Sequence, residues 1–263
     1  MFLRTFRNNF PNYVYFCPFR QKEVISTPIN SIKRVYVPRK CLSSLKKIKN
    51  KDSLQKKTLD LIELLSSESG IGPEDFGVHG SIALNMHTVE SDVDLAVYGA
   101  QNFRELEKTI AKLVEEGTLT YVINNRLDAA RLCKGRYFNR IFMYNAVRKP
   151  EEVNSKYGTH KYLPVNPVWF QCTVKDDSEA VFRPAIYKIE NYEPVCSASV
   201  LSEDKIPKVV ISMIGCYRNV AKRGNKIDVS GMLERVENVK TGEIFHQVVV
   251  GTGMNENECI RPL

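Results

Sequence analysis

One segment narrows the fold of this chain more than any other. Phe76-Gly77-Val78-His79 is a short buried-strand pattern that stops at Gly80-Ser81. A brief helical stretch follows over 82–87, and Asp92-Val93-Asp94-Leu95-Ala96-Val97-Tyr98-Gly99 reads as a second strand closed by a glycine. In a strand, side chains two apart share a face, so Asp92 and Asp94 converge while Val93 and Leu95 enter the opposite layer. Two carboxylates held that close repel unless a cation neutralises them. Hard oxygen donors of this kind suit Mg²⁺ or Mn²⁺.

The glycine upstream adds an anion site. A helix that starts directly after a strand exposes backbone N–H groups where partial positive charge gathers. Gly80 lets an anionic group approach the backbone, and the Ser81 hydroxyl can donate to a phosphate oxygen or cap the helix. A phosphate cradle beside a carboxylate pair describes a triphosphate site. Two-metal sites of this chemistry place their ions about 3.5–4 Å apart, within reach of bridging carboxylates.

Gly80-Ser81, ten residues, then Asp92-Val93-Asp94, on a strand–helix–strand background, resembles the signature of the DNA polymerase beta-like nucleotidyltransferase superfamily. The words Gly77-Val78-His79-Gly80-Ser81 and Glu90-Ser91-Asp92-Val93-Asp94-Leu95-Ala96-Val97-Tyr98-Gly99 most resemble uncharacterised archaeal proteins of that superfamily. The resemblance covers about residues 52–150. It implies transfer of a nucleoside monophosphate from a nucleoside triphosphate to an acceptor hydroxyl, with release of pyrophosphate. Asp92 and Asp94 would hold Mg²⁺ or Mn²⁺, and Gly80 and Ser81 would bind the β- and γ-phosphates.

The superfamily pattern also calls for a third carboxylate on a later strand, where it helps activate the attacking hydroxyl. The strand pattern over 140–147 carries no acid and offers only Asn145, and Asp128 falls in a helical segment. Asp176 is the choice among the remaining acids. Its neighbours Asp177 and Ser178 are equally the ordinary chemistry of a hairpin turn. Without a third acid, the protein would bind nucleotide without turning it over efficiently. His79 reads as structural, while His87, at the end of the short helix, could cap that helix or face the metal cleft.

Elsewhere the pattern is α+β. Leu54, Leu61, Leu64 and Leu65 form one face of a helix that Asp52 or Ser53 caps and Gly70 ends. Phe103, Leu106, Ile110 and Leu113 form the apolar face of another over 102–116. Strand patterns lie at 121–123, 140–147, 168–174 and 180–189, then at 209–214, 226–236 and 244–250 between glycine turns. The expected division is a basic N-terminal β element (1–50) packing on the core, a transferase domain with a mixed sheet flanked by helices (51–192), and a small antiparallel β unit (193–263).

Charge and composition bound the partners. With 263 residues, 43% hydrophobic and 26% charged, the chain has the make-up of a globular protein of one to two domains and is neither disordered, collagen-like nor a disulfide scaffold. Its net charge of +8 is regional: residues 1–60 hold 14 Lys/Arg against 3 Asp/Glu, and the rest hold 24 against 27. A basic zone suggests a polyanion, and RNA is the favoured acceptor. A protein hydroxyl, as in AMPylation, is the alternative acceptor. A nucleotide- or RNA-binding protein with a degenerate site is the non-enzymatic alternative, and Tyr217-Arg218 and Lys222-Arg223 would suit contact with single strands. The apolar run at 209–217 is too short to span a membrane, and the N-terminus, interrupted by Pro11 and Pro18, lacks the apolar stretch of a signal peptide. Seven scattered cysteines without a Cys-x-x-Cys pair argue against zinc and for reduced thiols, hence a cytoplasmic protein.

Overall fold

The computed structural model describes residues 2–252 and 257–263. Helix α1 (Phe2–Asn9) and a hairpin of β1 (Val14–Cys17) and β2 (Lys22–Ile25) open the chain, followed by α2 (Pro38–Lys47). The basic N-terminal zone is therefore not purely β. The alternation at 32–37 finds no strand partner among the described residues, because it leads into a helix. Pro38 starts α2, where its missing N–H costs nothing. Leu42 and Leu45, three apart, bury one face of α2 in the same core as the central sheet.

Helix α3 (Ser53–Ser69) begins at a capping box: Gln55 N donates to Asp52 Oδ1 at 2.9 Å, and Asp52 N donates to Gln55 Oε1 at 3.1 Å. Gly70 ends it at φ +71°. There follow β3 (Phe76–Val78), α4 (Gly80–Ala83), β4 (Val93–Tyr98), α5 (Ala100–Glu115), β5 (Thr120–Tyr121), α6 (Arg126–Arg131), β6 (Lys134–Tyr137) and β7 (Arg140–Val147). The strands form one sheet in the order β3-β4-β7-β6-β5, with β4 and β7 parallel and the other pairs antiparallel. Phe142, Tyr144 and Ala146 of β7 alternate into the core with Val93, Leu95 and Val97 of β4 and the apolar faces of α3 and α5. Met143 and Asn145 point the other way, together with Asp94 and Ala96, onto the sheet face that those helices leave uncovered.

The second unit is a barrel of β8 (His160–Asp176), β9 (Ala185–Pro194), β10 (Val209–Ser212), β11 (Lys226–Asn238) and β12 (Ile244–Val250), with β13 (Cys259–Pro262) added to β11. Neighbours run β8-β9-β10-β12-β11, and β11 returns to β8, closing the ring. Residues 160–192, expected in the transferase domain, thus belong mostly to the barrel. The first half of β8 carries Pro164 and Pro167 and is largely exposed, so no period-two burial announces it. Its 17 residues are held by long-range pairing with β11 instead.

The two units are bolted together. Arg104 of α5 donates to the Asp177 carboxylate and carbonyl in the β8–β9 turn, to Asn219 Oδ1 and to Glu107. Fully buried Asn219 donates to Glu107 at 2.6 Å. Val181 and Phe182, from the same turn, lie in the hydrophobic core of the β3–β7 sheet. No helix among the described residues is long and apolar enough to cross a membrane.

Candidate active site

His79 follows β3, and its backbone N–H donates to the Asp94 carbonyl at 3.0 Å, which draws the turn against β4. Gly80 then takes φ +63°, a left-handed conformation, and a Cβ there would meet Asp94 Oδ2 at 2.0 Å. Only glycine fits, for both reasons. The Asp94 carboxylate therefore rests against the Gly80 backbone at the mouth of α4. Asp92 stands exposed just before β4, and Asp94 is half-buried. Burial pushes Asp94 above the usual carboxylate range; the nearby Asp92 charge adds to this, and His79 opposes it. Among the described residues no Lys, Arg or His forms an ion pair with either acid.

The structure brings Gly80, Asp92 and Asp94 together, with Ser81 half-buried in the first turn of α4. It gives Asp176 other partners. Asp176 ends β8, accepts from Lys188 Nζ at 2.8 Å and from Ser178 N at 2.9 Å, and is held down to about 2 by those bonds. The position facing Asp94 across the parallel β4–β7 register belongs to Met143, and the next one along that face to Asn145. Asn145 Nδ2 lies 3.2 Å from His79 Nε2, so β7 contributes an amide–imidazole pair where an acid was sought. Asp128 caps locally, accepting from Asn124 N at 3.2 Å. His87 pairs with the helix-capping Asp52 at 2.8 Å and pins the 84–92 loop to α3.

Residues 59–135 match the family model of the nucleotidyltransferase domain. The chain carries a nucleotidyltransferase domain. Gly80, Ser81, Asp92 and Asp94 lie within the matched residues, and Asp176 lies outside them. An uncharacterised protein of Methanocaldococcus jannaschii is 26% identical over 212 residues, which is 73% of this chain and 59% of that protein. The chain thus spans under two thirds of that relative's length. No solved structure matches it.

A cleft of about 980 Å³ opens between the nucleotidyltransferase sheet and the barrel. His79, Ala96 and Asn145 line it on the sheet side; Arg183, Ile186, Lys188 and Arg218 line it from the barrel side. Arg148 of the sheet side is neutralised by Glu179, with Nε donating at 3.0 Å, and its guanidinium lies 4.3 Å from the centre of the Phe182 ring. Lys188 is neutralised by Asp176. Burial and the neighbouring Arg131 and Arg183 guanidiniums push Arg218 below the usual arginine range. Arg148, Arg183 and Lys188 carry no sequence signal of their own, since only barrel closure and domain packing bring them to the cleft. The basic N-terminal zone divides: Arg39 is consumed structurally by Asp75 and by the Tyr98 ring 3.7 Å away, while Arg34 and Lys40 line a groove beside Ile82 and Ala83 of α4.

Proposed function

We propose that this chain transfers a nucleoside monophosphate from a nucleoside triphosphate to the hydroxyl of a nucleic-acid acceptor, with Mg²⁺ or Mn²⁺ as cofactor. The observation that carries the reading is the Asp94 carboxylate resting against the left-handed Gly80, with Asp92 two residues away and near enough for its charge to act on Asp94, inside the nucleotidyltransferase domain. The donor set fits a hard divalent cation. Mg²⁺ is commonly held by one or two carboxylates plus substrate phosphates rather than by an all-protein cage. Two acids whose charges act on each other and which, among the described residues, form no ion pair with a Lys, Arg or His meet that description.

Asp92 and Asp94 would hold the cation, which when bound supplies charge neutralisation and Lewis-acid polarisation at the phosphates. Gly80 makes room for the Asp94 carboxylate and, with Ser81, would bind the β- and γ-phosphates, the Ser81 hydroxyl donating to them. The acceptor oxygen forms a bond to the α-phosphorus as the bond from that phosphorus to the β-bridging oxygen breaks. Pyrophosphate leaves and the hydroxyl proton passes to solvent. Positioning and charge neutralisation carry such a displacement. The chain's part is to hold donor and acceptor in line on the open face of β4 and β7.

The test is incubation with each α-labelled nucleoside triphosphate, Mg²⁺ or Mn²⁺ and total RNA, comparing the protein with its Asp92→Asn, Asp94→Asn variant. Label should move to RNA and the variant should transfer none; transfer that persists in the variant sinks the reading. Label running with polypeptide after nuclease digestion would instead identify a protein acceptor. A second reading, nucleotide binding without efficient turnover, is favoured by Met143 standing opposite Asp94 where an acid would complete the set. It predicts saturable binding of nucleotide and metal with no label transfer.

A further inference from the structure

The barrel's ring order, β8-β9-β10-β12-β11, has β10 and β12 parallel and every other neighbouring pair antiparallel. That is the order of the five-stranded OB barrel, which takes oligonucleotides or oligosaccharides across its second and third strands and the adjoining loops. Here the second strand is β9 and the first-to-second loop is 177–184. These two elements supply Glu179, Phe182, Arg183, Pro184, Ile186 and Lys188 to the cleft. The barrel therefore turns its ligand-bearing side toward Asn145 and His79 rather than toward open solvent.

Strand order alone is analogy; charge is the independent observation. Arg183 and Arg218 line the cleft, and neither has a carboxylate partner among the described residues, in contrast to Arg148 and Lys188. Behind them Arg131 is 8% exposed, and its Nε is buried with no hydrogen-bond partner. Arg131 and Arg183 are both close enough to Arg218 to act on its charge. Buried Arg131 and part-buried Arg218, with no carboxylate partner among the described residues, are costly unless an anion completes the site, and exposed Arg183 adds its charge beside them. An uncharged sugar would leave that cost in place, whereas phosphate oxygens accept charge-assisted bonds from two arginines at once. At about 980 Å³ the cleft stands at the top of the ~300–1,000 Å³ range of pockets for one small ligand, so it has room for the end of a nucleic-acid strand.

We propose that Arg183 and Arg218 grip backbone phosphates of a single-stranded nucleic acid lying along β9, with its terminal hydroxyl directed at Asp92 and Asp94. The inference deepens the transfer reading and rests on it for the role of that hydroxyl. The binding surface itself is testable without turnover.

Full-length protein is titrated with a fluorescein-labelled oligouridylate and, separately, with a non-hydrolysable nucleoside triphosphate carrying a fluorescent ribose. Arg183→Glu and Arg218→Ala should each weaken oligomer binding about tenfold and flatten the dependence of log affinity on log salt by about 0.7–1. Nucleotide binding should not change, and Arg183→Lys should restore most of the oligomer affinity. Arg183 is exposed, so its variants decide the matter even where Arg218→Ala fails to fold. Unchanged oligomer affinity in folded Arg183→Glu overturns the inference. So does loss of nucleotide affinity with oligomer binding intact, which would assign the arginines to the triphosphate, or equal affinity for an RNA duplex. Arginine-dependent oligomer binding without label transfer supports this inference while removing the transfer reading.

Discussion

Asp92 and Asp94 stand just before and just inside one strand, twelve and fourteen residues after Gly80, whereas Arg183, Lys188 and Arg218 reach the cleft from a turn, a strand and a connection of the barrel. The acidic pair is a local construction: a tight turn and the start of one strand fix it, whatever the rest of the chain does. The basic wall exists only when β8 finds β11 across more than fifty residues and the closed barrel docks on α5. Chemistry written into a short motif survives as a readable word, while a recognition surface assembled from distant segments leaves no word to read.

Substitutions can break this contrast, beginning with the largest effect. Asp92→Asn with Asp94→Asn should lower label transfer on the order of 10³-fold, the equivalent of several kcal/mol of lost Lewis-acid stabilisation, while oligomer affinity stays put. An oligomer that leaves with the carboxylates would show that the acidic pair and the basic wall are not separate. Gly80→Ala sharpens the acidic side. Its methyl would press on Asp94 Oδ2 from 2.0 Å in a left-handed backbone, so the carboxylate must move by an ångström or so. Transfer should fall about 10²-fold, with little change in the melting midpoint of the barrel.

How much of this was legible follows from the same contrast. The capping box at Asp52, the left-handed Gly70, the alternation of β7 and the apolar face of α5 are local signals, and each lies where the pattern placed it. The start of the barrel was hidden by the exposed, proline-bearing half of β8, and α2 by the lysines and arginines around Leu42 and Leu45. Asp176 was attractive because it ends a strand. Its neighbours decide otherwise: Lys188 and Ser178 tie it into the hairpin, and Asp177 beside it serves the joint with Arg104.

Two smaller effects test the joint and the basic wall. Arg104→Ala leaves Asp177, Glu107 and Asn219 short of a shared donor, and it should cost about 2–3 kcal/mol in chemical denaturation. Appearance of two separate transitions would show that Arg104 carries the coupling between units. Asp176, held down to about 2 by Lys188, is bound more favourably as the anion in the folded state. Its contribution is present in full above the ordinary aspartate range and is lost as pH falls toward 2. Asp176→Asn should slightly flatten the acid limb of stability between about pH 4 and 2 and leave neutral-pH transfer untouched, measured by denaturation at stepped pH. Loss of transfer at neutral pH would restore Asp176 to the catalytic set.

Phe182 belongs by sequence to the barrel's first turn and by packing to the transferase core, where it is 1% exposed. For the cleft to swing wide, this ring would have to leave its pocket at a cost of about 1.5–3 kcal/mol, before any loss at Arg104 is added. The cleft is consequently a gauge rather than a jaw. Its width is set when the chain folds, and whatever enters must fit between two walls that part only at that cost.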